Sequence, residues 1–216
     1  MKNILFYGDS NTWGFDPDTT LRYPYPLRWT TVCASLLGSG YQCIPAGMNG
    51  RTTAFDDPVK GARNGCKGLD YELQTHKPLD LFAVMLGTND LKYTDAEGSA
   101  EGMERLMELV LTANERFRLS SPVFPGSGSS TPSVLLIAPI LLRSHVGERR
   151  DDIVESARLS GLYRQIADRH KLHFMDASLY AEPSGTDGIH LGADGHSALG
   201  EAIASKIRNL FEEENG

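Results

Sequence analysis

Cysteine is scarce in this chain. There are three, Cys33, Cys43 and Cys66, odd in number and without C-x-x-C spacing, so neither a disulfide framework nor a zinc knuckle is indicated and a reduced, cytoplasmic setting is expected. Long hydrophobic runs are missing too. The longest, from Val134 to Leu142, is broken by Pro139 and falls far short of the roughly 20 apolar residues that span a bilayer. Met1 and Lys2 lead straight into a short apolar stretch and a polar turn, without the pattern of an export signal. Positive charge is in deficit: 21 Lys and Arg stand against 28 Asp and Glu, a formal net charge of -7 with a pI near 5.4. Nucleic acid and anionic membrane both reward clustered Lys and Arg, so neither is expected as the main partner, and a neutral or cationic small molecule fits better. There is no P-loop, no dinucleotide glycine pattern and no internal repeat.

What is present suits one globular domain over residues 1–216, since 40% of the residues are hydrophobic and can fill a single core. Ile4–Tyr7 is an apolar run that stops at Gly8, Asp80–Leu86 one that stops at Gly87, and Val134–Ile137 a third. Tyr41–Ile44 and His173–Met175 are weaker strand candidates. Continuous rather than alternating apolarity suits parallel strands covered on both faces. Between them lie helical patterns: Met103, Leu106, Met107, Val110 and Leu111, then Leu199, Ala202, Ile203, Ile207 and Leu210, with further helices expected over 29–37 and 153–166. Alternation of this kind predicts an α/β fold, a three-layer, flavodoxin-like doubly wound sheet of about five parallel strands in the order 2-1-3-4-5. Ligands then bind at the carboxyl ends of the strands, between the first and third, where the winding reverses. The Ser-, Pro- and Gly-rich stretch 120–133 reads as a solvated surface connection, with a substrate lid or subunit contact as the sharper option.

Topology therefore brings the turn after strand one, Gly8 Asp9 Ser10 Asn11, against the turn after strand three, Gly87 Thr88 Asn89 Asp90. Serine is inert at neutral pH until a base takes its proton, and an imidazole does this well when a third group fixes its tautomer. Of six histidines, His190 alone has a carboxylate, Asp187, three residues earlier, which places both on one side of a turn. His196 is the rival base, and the plainer reading of Asp187 is a turn cap. An imidazole base predicts activity that rises through neutral pH. Asn89 can donate to a developing oxyanion, a contribution of about 3 kcal/mol where one such donor has been removed elsewhere; its plainer role is a turn or helix cap. Asn49 Gly50 Arg51 Thr52 Thr53 follows the second strand with a glycine that lets backbone N–H approach a substrate closely. The G-x-S-x-G elbow is absent, Thr12 standing where its second glycine would be.

Taken in order, these four blocks resemble the SGNH hydrolases, or GDSL esterase and lipase family. Thr12 Trp13 Gly14, Arg28 Trp29 Thr30, Gly50–Thr53 and Leu86–Asp90 look like its bacterial arylesterase and acyltransferase branch. The resemblance implies Ser10 as nucleophile, Asp187 and His190 completing the triad, and an oxyanion hole of Ser10, Gly50 and Asn89. It implies small acyl groups, no metal or other cofactor, and a branch that includes homo-oligomers. Asn11 departs from the Leu of the GDSL name, which bears on pocket shape. Asp9, Asn11, Trp13 and Arg51 are candidate substrate-pocket residues, Trp13 as a wall of the acyl pocket.

The expected reaction is hydrolysis of a short-acyl aryl, alkyl or sugar ester through an acyl-enzyme, with transfer to another alcohol or peroxide as a side reaction. Two other classes compete. One is a phosphatase with Asp9 as nucleophile, which requires Mg2+ and has Asn11 where a second Asp belongs. The other is a non-catalytic binding domain on a flavodoxin-like sheet.

Overall fold

The computed structural model describes residues 1–126 and 132–213. Its centre is a parallel sheet of β1 (Lys2–Gly8), β2 (Tyr41–Gly47), β3 (Leu81–Met85), β4 (Val134–Ala138) and β5 (His173–Asp176), in the order β2-β1-β3-β4-β5. The helices are α1 (Ser10–Trp13), α2 (Trp29–Leu37), α3 (Gly65–His76), α4 (Ala96–Leu111), α5 (Ala113–Arg116), α6 (Asp152–His170) and α7 (Ala193–Glu213). The expected architecture and strand order are both found.

Successive side chains of a strand point to opposite faces, and each face here has its own core. Leu5, Tyr7, Phe82, Val84 and Leu136 pack with Leu69 and Leu73 of α3, Met103, Leu106 and Val110 of α4, and Leu159 and Tyr163 of α6. Ile4, Phe6, Leu81, Ala83 and Ile137 pack with Trp29 and Cys33 of α2 and Leu199, Ile203 and Ile207 of α7. Both faces being covered explains the unbroken apolar runs in β1, β3 and β4. Pro45 sits in β2, an edge strand, where its missing N–H costs no sheet hydrogen bond.

Helix α3 has no counterpart in the sequence reading. Gly65 and Gly68 dilute its helical signal, and only Leu69 and Leu73 are large apolar side chains buried along it. The stretch 120–133 also departs from expectation. Residues 127–131 lie outside those described, but Val123 and Phe124 are buried, with Asn114 Oδ1 accepting from both their N–H groups at 2.8 and 2.9 Å. Two apolar residues among Ser and Pro are enough to pin that part to the core.

Register brings the carboxyl ends of three strands level: Gly8 pairs with Gly47 on one side and Met85 on the other. The loops leaving these positions carry Ser10, Gly50 and Asn89. A Cβ on Gly47 would lie 2.1 Å from the Trp13 backbone nitrogen, so glycine there lets α1 lie directly on the sheet end.

Candidate active site

Ser10 is the first residue of α1, a single turn fixed at both ends. Asp9 caps it, its Oδ1 accepting from Asn11 N–H at 3.0 Å, and Gly14 closes it in a left-handed conformation with its N–H on Ser10 C=O at 2.9 Å. At the other end of the chain, the turn before α7 is built around Asp187. Its Oδ1 accepts from the backbone N–H groups of Ile189 and His190, both at 2.9 Å, and its Oδ2 from His190 Nδ1 at 2.6 Å. One oxygen of Asp187 thus caps the turn while the other accepts from the imidazole. Partial burial opposes the charge on Asp187, but the His190 backbone and ring and the Ile189 N–H outweigh it and hold the carboxyl below its usual range.

With Nδ1–H committed to Asp187, His190 Nε2 is left as an acceptor, and Ser10 Oγ lies 2.9 Å from it. Phe15 stacks on the imidazole, ring centroids 4.4 Å apart. Asn11 ties the two chain ends together: its Oδ1 accepts from Leu191 N–H at 2.9 Å and its amide nitrogen faces Ile189 C=O at 3.5 Å. It thus grips the residues on both sides of His190. The rival base, His196, is fully buried, with Nδ1 accepting from Trp29 N–H at 3.2 Å. Burial, then the neighbouring His190 and Arg28, lower its pKa to about 4.

The turn after β3 is held by Asp90, which is fully buried and accepts from Thr53 N–H at 3.1 Å and from the Thr53 hydroxyl. Burial pushes its carboxyl up to about 7. This contact fastens the loop carrying Gly50, at a φ of +76°, to the turn carrying Asn89. Asn89 Nδ2 donates to Arg51 C=O at 3.2 Å, and its Oδ1 accepts from Lys92 Nζ at 2.6 Å. Amide orientation follows from that pairing, and Nδ2 also faces Asp9 Oδ2 at a long 3.5 Å.

These groups share a cleft of about 450 Å³ whose lining includes Ser10, Asn11, Gly50, Asn89 and His190. Asp9, Trp13 and Arg51 are not part of its lining. Asp9 is buried under α1 and burial raises its pKa. Trp13 is covered by the Arg22 guanidinium, 4.8 Å from its ring centre. Arg51 lies 4.0 Å over the Tyr7 ring and donates to the C=O groups of Gly8 and Ala46, fixing the ends of β1 and β2. Three cations in the lining, Lys60, Arg63 and Lys92, and the apolar Phe15, Val146 and Ile189 were not foreseen. No motif gathers them; they meet only when the loops after all five strands fold over the sheet end. A groove of about 490 Å³ between α4 and α6 is lined by residues such as Glu101, Glu104 and Arg169 and gathers no comparable chemistry.

The profile of the GDSL-like lipase/acylhydrolase family matches residues 6–198. The chain belongs to that family. Among solved structures, this GDSL-family chain is 38% identical to a carbohydrate acetylesterase from Sinorhizobium meliloti, with 97% of this chain and 100% of that one covered and a TM-score of 0.86. It is 34% identical to the aryl esterase of M. smegmatis, covering 97% and 100%, with a TM-score of 0.87. A lipolytic protein of the G-D-S-L family from Veillonella parvula, at 15% identity and a TM-score of 0.66 over 95% and 97%, shares the fold. Among curated protein sequences nothing matches. Family and neighbours make this GDSL-family chain a carboxylic ester hydrolase. Among the described residues no helix is long and apolar enough to cross a membrane.

Proposed function

We propose that the chain hydrolyses short-acyl carboxylic esters through a Ser10, His190 and Asp187 triad and an acyl-enzyme. One observation carries the reading: an unbroken hydrogen-bond path runs from Ser10 Oγ through both nitrogens of His190 to Asp187, at 2.9 and 2.6 Å, within a cleft. Ser10 Oγ attacks the ester carbonyl while Nε2 takes its proton, and the imidazolium is stabilised by Asp187. The oxyanion rests on the N–H groups of Ser10 and Gly50 and on the Asn89 N–H that gives up its long 3.5 Å contact to Asp9, an amide that Lys92 polarises through its oxygen. His190 returns the proton to the leaving alcohol; water, activated in the same way, then releases the acid. An alcohol or peroxide that reaches the acyl-enzyme before water takes the acyl group instead. The likeness to an acetylesterase and an aryl esterase supports small acyl groups.

A serine-directed organophosphate tests this. The expected result is one adduct, on Ser10, by peptide mass spectrometry, with turnover of phenyl acetate lost in step. Ser10→Ala should lower kcat by at least about a thousandfold with the circular-dichroism spectrum unchanged. Labelling elsewhere, or a variant with ordinary turnover, removes Ser10 from the role. Asp9 as a phosphatase nucleophile is disfavoured by its burial and its commitment to the α1 cap.

A further inference from the structure

The charge of the cleft runs opposite to that of the chain. Its lining contains Lys60, Arg63 and Lys92 and no aspartate or glutamate, although acidic residues outnumber basic ones 28 to 21 overall. Neither the Lys60 ammonium nor the Arg63 guanidinium has a hydrogen bond or ion pair among the described residues, and Arg63 Nε is buried without a partner. Arg63 lies against Gly50, where a Cβ would come within 3.5 Å of its Cδ and Nε. Among the described residues the Lys92 ammonium binds only the Asn89 amide oxygen. Burial, followed by the like charges of Lys60 and Arg63, pulls the Lys92 ammonium below its usual range, against the attraction of Asp9 and Asp57. Those two carboxylates are otherwise engaged. Asp9 caps α1, and Asp57 accepts from the N–H groups of Val59 and Lys60 and from the Tyr93 hydroxyl.

The cleft thus combines apolar and cationic lining. Phe15 packs against His190, while Arg63 lies against Gly50 and Lys92 binds Asn89, with Lys60 also in the lining. Like charges gathered with no direct ion pair among the described residues repel one another, the attraction of Asp9 and Asp57 notwithstanding, and an anion placed among them relieves that repulsion. An acetyl group fills only a small part of about 450 Å³, so the alcohol half of the ester reaches these cations. We infer that the preferred substrate is a short-acyl ester of an acidic alcohol, whose carboxylate or phosphate is held by Lys60, Arg63 and Lys92. This rests on the esterase reading above. Arg63 offers a planar fork suited to either anion, and Lys60 and Lys92 add point charges.

The test compares kcat/KM for 4-acetoxybenzoate, 4-acetoxyphenyl phosphate and neutral 4-acetoxybenzamide, each divided by its rate of hydroxide-catalysed hydrolysis. At low salt at least one of the two anionic esters should be favoured by about tenfold or more, and the advantage should shrink as NaCl is raised. The double variant Lys60→Glu with Arg63→Glu should invert the order, so that (4-acetoxyphenyl)trimethylammonium overtakes both anions. Organophosphate labelling of Ser10 reports whether the double variant is folded; if it is not, the single Lys60→Glu change at an exposed position should still reduce the anionic ratio. Wild-type protein that turns over the neutral ester at least as well as both anionic ones overturns this inference and leaves the esterase reading standing. No turnover of any acetyl ester and no adduct on Ser10 overturns both.

Discussion

At the scale of single residues, the site depends on groups that never touch a substrate carbonyl. Asn11 is the clearest, because it accepts from Leu191 N–H and faces Ile189 C=O, the neighbours of the base on either side. Replacing it by Ala leaves Leu191 N–H buried and unpaired, at a cost of about 1–3 kcal/mol in stability. It also frees the turn that aims Nε2 at Ser10. As a positioning residue it should lower kcat by roughly ten- to a hundredfold with little change in KM, while Asn11→Asp, which keeps an acceptor at the same place, recovers part of the rate. Steady-state kinetics on phenyl acetate separate these outcomes; a rise in KM alone would make Asn11 a binding residue instead. Much of this level was legible beforehand. Ser10, Asn89, Asp187 and His190 stand in short ordered blocks whose spacing survives folding, whereas Phe15, Lys60, Arg63 and Val146 stand in none, so only the path of the loops brings them to the cleft. Arg51 and Trp13 show the reverse: each belongs to a block, yet Arg51 spends its side chain on the ends of β1 and β2 and Trp13 lies under Arg22, outside the cleft lining.

At the scale of elements, the strands were legible because a parallel strand buried on both faces leaves an unbroken apolar run, and α2 because its apolar positions repeat at helical spacing. Helix α3 was not, since two glycines and two leucines leave too weak a period. The element that matters most for chemistry is also the shortest, α1. Four residues cannot hold a helix by propensity, so the Asp9 cap, the Gly14 terminus and the fit against Gly47 must do so. Gly47→Ala would drive a Cβ into the Trp13 backbone, which cannot move without taking Ser10 with it. Overpacking of this kind costs about 1–3 kcal/mol, or roughly 3–10 °C in Tm for a chain of this size, and kcat should fall with it. Calorimetry that shows an unchanged Tm would mean that α1 sits less tightly on the sheet than the contact implies.

For the molecule as a whole, net charge misdescribes the candidate cleft, since the chain carries -7 while the cleft presents three cations. Composition averages over a surface, and the loops after β2 and β3 sample it unevenly. The same distinction between a sum and its parts governs stability against pH. His196 has its folded pKa lowered from 6.5 to about 4 by burial, so between those values the unfolded chain binds the extra proton and stability falls as pH drops through that window. Asp90 has its folded pKa raised from 3.8 to about 7 by burial. Here the folded chain binds the extra proton, so stability is greatest below about 4 and declines as pH climbs to 7. Each contribution is on the order of 3 to 4 kcal/mol, and the two run in opposite directions across nearly the same range. The wild-type profile between pH 4 and 7 should therefore be flatter than either group alone would make it. His196→Gln, whose amide oxygen can still accept from Trp29 N–H, removes one side of that balance, so its stability should fall as pH rises from 4 to 7. Asp90→Asn removes the other, and its stability should increase over the same interval. Urea melts at pH 4.5, 5.5 and 6.5 read both slopes directly, and two variants with parallel profiles would show that these buried groups do not set the pH response of the fold.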